Sequence, residues 1–229
     1  MLFGYGLFFT KLNSALMSAV SVLIVSCPCA LVLATPITLT VGMGKAASLG
    51  IIIRDASVLE NMCKIKNMVF DKTGTLTQSN FDKNIEAAKE LRPDAKETVS
   101  QLQNELGMKT YMISGDKEYE AVRIAQQIGI DKENVVAQAD PISKNEYLVK
   151  LMKDVKSNSN EAGLFGYVGD GINDAPAMTT ADVGITLESA TDIALESGDV
   201  VLMHNKLLDL ITAFRLSKAS MRKIKQNLF

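Results

Sequence analysis

"FDKTGTLTQSNFDKN", residues 70–84, is the stretch on which the reading of this chain turns. It overlaps the apolar run "KNMVF" (66–70), which has the length and composition of a buried strand. At the end of that run Asp71 stands among a lysine, two threonines and Gly74, and a short polar stretch follows before the next helical pattern. In an open parallel sheet the ligand crevice lies beyond the carboxyl ends of the strands. A lone aspartate in that place is ordinarily a helix cap, so the weight falls on how the other apolar runs end.

The runs "KTYMI" (109–113), "LFGYV" (164–168), "DVGIT" (182–186) and "DVVLM" (199–203) also read as buried strands. Between them, Ala95, Val99, Leu102 and Leu106 share one helical face, as do Ala121, Ile124, Ala125 and Ile128. Pro93 suits a helix start, and Gly107 and Gly129 suit helix stops. Leu207, Leu210, Ile211 and Phe214 begin a last helical pattern that turns basic further on. This alternation predicts an α/β fold, a parallel sheet flanked by helices. "SGD" (114–116) follows the second strand and "GDGIND" (169–174) the third. Polar clusters after successive strands are more than capping requires.

The chemistry follows from charge. A carboxylate attacks a phosphoryl group when a divalent cation and fixed donors cancel the repulsion between anions. Asp170 and Asp174, with the Asp71 carboxylate, offer the hard oxygen ligands that Mg²⁺ prefers. Ser114 and the amides around Gly115 and Asp116 can hold phosphate oxygens, and Lys144 in "DPISK" opens a helix from which its ammonium can reach the same charge. Asn173 is placed to fix its neighbours. Gly74, Gly115, Gly169 and Gly171 let the backbone approach an anion where a side chain would obstruct it.

The first part of the chain is of another kind. The composition is 47% hydrophobic with a net charge of −2, and no strongly basic face points to nucleic acid as a partner. From Leu12 to Gly44 there is no charged residue, and the core of that span, Ala15 to Ala34, matches a helix crossing roughly 30 Å of hydrocarbon. It is read as a transmembrane helix, with membrane lipid as its surroundings. Met1 to Thr10 lacks the basic start and cleavage site of a secretory signal and reads as a cut start. Pro28 breaks the helix and frees backbone carbonyls at membrane depth, and Cys27 and Cys29 flank the break. Thiolates select soft ions such as Cu(I) or Zn²⁺ over Mg²⁺ or Ca²⁺. The chain's three cysteines make no disulfide framework, which points to a reducing, cytosolic compartment for the polar part. His204, Cys63 and the scattered methionines read as loop or packing residues.

Together, "DKTGTLT", the "GD" of "ISGDK" and "GDGINDAP" resemble the phosphorylation domain of the P-type ATPases, members of the haloacid dehalogenase superfamily. The resemblance implies that Asp71 forms an aspartyl phosphate, that Asp170 and Asp174 hold Mg²⁺, and that Lys144 stabilises transferred charge. Ser114 stands where the family usually has threonine. Thr73 stands where phosphatases of the superfamily place a second aspartate, the base that hydrolyses the intermediate; its absence favours a long-lived phosphoenzyme. With "SCPCALVLATP" included, the chain is similar to the heavy-metal-transporting subgroup, and "LATP" and "KIKQNLF" look more like its copper branch than its zinc and cadmium branch. ATP as phosphoryl donor and a transported Cu⁺, with Zn²⁺ or Cd²⁺ as the alternative, come with that resemblance.

The expected organisation is a transmembrane segment over 1–44, a linker over 45–66, a phosphorylation domain over 67–206 and the start of a further stalk or membrane helix over 207–229. Relatives in the resembled family insert a nucleotide-binding domain after "DKTGT"; residues 78–88 take its place here and leave no room for a second fold. The same reading expects no actuator domain in this stretch of sequence, with the missing pieces supplied by another chain. Phosphorylation by ATP is expected to be impaired, because remote binding energy no longer orients the γ-phosphate. A superfamily phosphatase and a non-catalytic, membrane-anchored metal-binding protein are the competing readings. Coupling between membrane and site is expected through the segment from Met43 to Lys66.

Overall fold

A computed structural model describes residues 13–22, 29–78, 90–158, 163–170, 172–188 and 196–228. After a helix α1 at 13–22, the elements are α2 (Cys29–Ser48), β1 (Ile51–Ile53), α3 (Ala56–Met62), β2 (Ile65–Asp71), α4 (Ala95–Asn104), β3 (Lys109–Ile113), α5 (Glu118–Ile128), β4 (Val135–Val136), α6 (Pro141–Asn158), β5 (Leu164–Gly169), α7 (Ala175–Thr180), β6 (Val183–Leu187), β7 (Val200–Leu202) and α8 (Asp209–Leu228). Each of the five apolar runs picked out in the sequence is a strand.

The strands form one seven-stranded sheet in the order β1-β7-β6-β5-β2-β3-β4. All neighbours are parallel except β1 and β7. From β2 the chain builds outward through β3 to β4, then returns to the other flank of β2 and builds outward through β5, β6 and β7. The reversal makes β2 a switch point, where adjoining connections diverge and leave a crevice. In register, Asp71 lies level with Ile113 and Phe70 with Val168, so the loops after β2, β3 and β5 open at one edge.

Helices cover both faces because both faces of the central strands are apolar. Met68 and Phe70 are fully buried in the larger cluster, with Leu76, Val99, Leu102 and Phe214. Val69, Phe165 and Tyr167 face the smaller cluster under α6 and α7, with Leu148 and Met178. Burying a side chain such as Phe70 contributes about 1.5–3 kcal/mol. The helical face at Ala121, Ile124, Ala125 and Ile128 is wholly buried, and Gly129 ends α5 at φ +88°, the left-handed turn that glycine adopts without strain. Leu106 lies past the end of α4 and only packs against the core.

At the N-terminal side, α2 runs alongside α8 so closely that a Cβ on Gly42 would lie 2.7 Å from Ser220 Oγ. Leu33, Ile37 and Val41 of α2 are more than half exposed, as are Leu16, Met17 and Val22 of α1. Among the described residues no helix is long and apolar enough to cross a membrane. The expected span from Ala15 to Ala34 includes 23–28, which lie outside the described residues, as do Cys27, Pro28 and Gly171; the side chain of Cys29 does too.

The 79–89 stretch, which covers most of the expected excision at 78–88, also lies outside them. Its flanks are paired. Gln78 N donates to Glu90 O at 3.0 Å and Arg92 N to Leu76 O at 2.9 Å, around an antiparallel bridge between Thr77 and Leu91. The chain therefore leaves and re-enters the sheet's edge at one place.

Candidate active site

The crevice beyond β2 holds a cavity of about 500 Å³ lined by Asp71, Thr73, Gly115, Gln138, Asp140, Lys144, Asp170, Asn173 and Asp174, among others. Asp71 ends β2 with its side chain almost wholly buried. The backbone then turns through Lys72–Leu76, and the Thr73 amide donates to Asp71 Oδ2 at 2.8 Å. Lys144, in the first turn of α6, crosses the cavity floor: its Nζ lies 2.5 Å from Asp71 Oδ1 and 2.8 Å from Asp174 Oδ1. Tyr167, on β5, donates its hydroxyl to Asp174 Oδ1 at 3.2 Å.

Two glycines make room for the acids. Gly74 has φ +75°, and a Cβ there would lie 1.5 Å from Asp170 Oδ2, so the Asp170 carboxylate rests on bare backbone. Gly169 is packed in the same way against Asp174, at 2.7 Å from its Cβ. Alanine at either position would drive an acid out of the cluster.

With these seats filled, Asp71, Asp170 and Asp174 each bring a carboxylate oxygen within 4.8 Å of the others. Three acids around one ammonium leave an excess of negative charge in a buried place, and the titration of the group reflects it. Burial, then repulsion from Asp174, pushes the Asp71 carboxyl up to about 7 against the pull of Lys144. Burial and Asp174 likewise push Asp170 up to about 6. Burial draws the Lys144 ammonium down, but Asp71 and Asp174 together outweigh it and hold its pKa above the ordinary lysine value. A hard divalent cation fits this donor set: three carboxylate oxygens, an excess of two negative charges over the single ammonium, and geometry that brings the oxygens to one point.

The other expected residues sit around this centre in different ways. Gly115 and Asn173 line the cavity. Ser114 is buried behind Gly115, and its hydroxyl accepts from the Asp116 amide at 3.1 Å. Asp116 pairs with the buried Lys72 ammonium, joining the loops after β2 and β3. His204 follows β7, away from the cavity, and pairs with Asp209 at 3.1 Å.

Some residues of the site stood outside the polar clusters that the sequence singled out. Tyr167 read as strand filling, although a phenol two residues before Gly169 on the same strand face was a cue. Gln138 takes φ +56° at the rim, held by its amide donating to Asp116 O at 2.9 Å. Arg92 is buried and its guanidinium donates to the carbonyls of Gly74 and Asn205 at 2.9 and 3.0 Å.

A haloacid dehalogenase-like hydrolase family model matches residues 80–182. The chain is 31% identical, over 320 residues, to a probable copper-importing P-type ATPase A of Enterococcus hirae, covering 94% of this chain and 43% of that protein. It is also 31% identical to a probable copper-exporting P-type ATPase of Archaeoglobus fulgidus, covering 94% of this chain and 39% of the relative. The chain thus spans about two-fifths of the curated relatives it matches. A crystal structure of a zinc-transporting PIB-type ATPase superposes with a TM-score of 0.77 at 26% identity, over 91% of this chain and 50% of that one. A 3-deoxy-D-manno-octulosonate 8-phosphate phosphatase from Moraxella catarrhalis, at a TM-score of 0.56 and 17% identity, shares the fold alone.

Proposed function

We propose, from the premise that the chain carries a haloacid dehalogenase-like domain homologous to the copper-transporting P-type ATPases, that Asp71 is phosphorylated and that this phosphorylation serves the movement of a soft metal ion. The observation that carries the reading is the convergence of Asp71, Asp170 and Asp174 on one point with Lys144 between them.

In the proposed reaction an Asp71 oxygen attacks phosphorus and the bond to the donor's leaving oxygen breaks, its electron pair departing with the leaving group. Asp71 must be ionised to attack, and Lys144 favours that state by holding Oδ1. The Thr73 amide orients the same carboxylate through Oδ2. Mg²⁺, held by Asp71, Asp170 and Asp174, would offset the charge of the incoming phosphate. Gly115 and Asn173 face the cavity where the phosphate oxygens would lie. Thr73 carries no carboxyl, so among the described cavity residues no acid stands beside Asp71 at the position from which a superfamily phosphatase base would act. The phosphoenzyme is therefore the stable product.

Copper is the ion favoured by the named relatives, and the zinc-transporting structure supports zinc as the second reading. Cys27 and Cys29 are the proposed ligands, and a membrane location for 1–44 is supported by the exposed apolar faces of α1 and α2. The alignment with the Enterococcus hirae relative runs over 320 residues, more than the 229 of this chain. This supports the loss of an inserted domain between the paired flanks at 76–78 and 90–92. A small acyl phosphate is then a better donor than ATP, because it needs no separate nucleotide site. The test is incorporation of labelled phosphate at Asp71 from acetyl phosphate and from ATP: labelling by acetyl phosphate and little from micromolar ATP is expected. No labelling from either donor in the presence of Mg²⁺ would sink the assignment.

A further inference from the structure

Arg92 is a buried cation whose hydrogen bonds, among the described residues, go to backbone carbonyls. Its Nη2 donates to Gly74 O at 2.9 Å and its Nη1 to Asn205 O at 3.0 Å, while its Nε is buried with no hydrogen-bond partner among the described residues. Asp94 and Asp170 are near enough to favour its charge, but among the described residues neither takes a hydrogen bond from it, and its direct partners are the two carbonyls it grips.

Both carbonyls belong to residues held at left-handed backbone angles, Gly74 at φ +75° and Asn205 at φ +53°. Gly74 is the bare backbone on which the Asp170 carboxylate rests. Asn205 lies in the turn between β7 and α8, and α8 is the helix that packs against α2 at Gly42. A guanidinium presents its donors in a rigid planar fork, so it fixes the direction of both carbonyls, where an ammonium on a flexible stem fixes less.

We infer that Arg92 is a positioning residue: its guanidinium clamps the Gly74 carbonyl, which seats Asp170 in the acidic cluster, and the same side chain ties that seat to the turn that opens α8. The inference rests on the reading that Asp71, Asp170 and Asp174 hold a divalent cation. It predicts the opposite of simple electrostatics. Removing a positive charge beside a cation site should tighten cation binding if only charge matters, whereas removing a clamp should loosen it.

The experiment uses the full chain in detergent micelles and counts free Mn²⁺ by electron paramagnetic resonance. Arg92→Met is expected to weaken Mn²⁺ binding about tenfold or more, the scale seen when a residue supporting a metal ligand is lost. Arg92→Lys keeps the charge and one carbonyl contact and is expected to fall between; it also serves if Arg92→Met does not fold. Arg215→Met, at an exposed pair with Glu105, is the control for general loss of stability and should leave Mn²⁺ binding unchanged. Hydrogen exchange of residues 205–211 should slow when Mg²⁺ is added to the unaltered chain, and not in Arg92→Lys. Unchanged or tighter Mn²⁺ binding in Arg92→Met and Arg92→Lys would overturn the clamp while leaving the cation site standing. Failure of the unaltered chain to bind Mn²⁺ would overturn both.

Discussion

Lys144 Nζ stands 2.5 Å from Asp71 Oδ1 and 2.8 Å from Asp174 Oδ1, so a single buried ammonium holds together two carboxylates that repel each other. Lys144→Met is expected to leave those acids without a cationic partner and to destabilise the metal-free fold by about 3–5 kcal/mol. Adding Asp71→Asn to the same chain should restore part of the loss, because one of the stranded charges goes with it. Urea titration of the single and double variants measures this; strictly additive losses would refute the coupling.

Asp71→Asn separates chemistry from stability. The amide cannot attack phosphorus, so labelling from acetyl phosphate should vanish. It also removes one charge from a buried, repelling group, so the metal-free melting temperature should hold or rise. A large fall in melting temperature would mean that the Lys144 contact outweighs the repulsion.

The direction of the pH dependence follows from the raised carboxyls. Asp71 titrates near its ordinary 3.8 when unfolded and at about 7 when folded, and Asp170 moves to about 6. Between those values the folded state binds more protons. The metal-free protein should therefore gain stability from these groups as pH falls from about 7 towards 4, with the penalty complete above 7. A divalent cation needs the same carboxyls ionised, so its stabilising effect should run the other way. Melting curves with and without Mg²⁺ should diverge at about pH 8 and coincide at about pH 5.

Gly42 tests the contact between α2 and α8. A side chain there would meet Ser220 Oγ at 2.7 Å and Leu59 Cδ2 at 3.1 Å. Gly42→Leu is expected to cost about 1–3 kcal/mol through overpacking, read as a lower denaturation midpoint. A neutral result would show that α2 and α8 can part freely.

The strand ends were legible because their chemistry is local. Runs such as "KTYMI" and "LFGYV" are apolar throughout, as strands buried on both faces must be, and the polar clusters begin where they stop. β1 and β4 were not read, being only three and two residues long and held in the sheet by pairing with β7 and β3. β1 fell inside what the sequence suggested was a linker from 45 to 66; it is instead an antiparallel edge that fastens the end of α2 to the sheet. The acidic centre was legible because Asp71, Asp170 and Asp174 sit in glycine-rich loops of distinct composition. Arg92 was not, because its partners are backbone carbonyls from residues 18 and 113 positions away, and carbonyls leave no mark in a sequence.

The bridge between Thr77 and Leu91 gives the fold a practical property. A guest protein whose own two termini lie side by side, such as a circularly permuted fluorescent reporter, can be spliced between these positions without the sheet having to re-register. Its emission would then follow events at Asp71, turning the place where the chain closes on itself into a readout port.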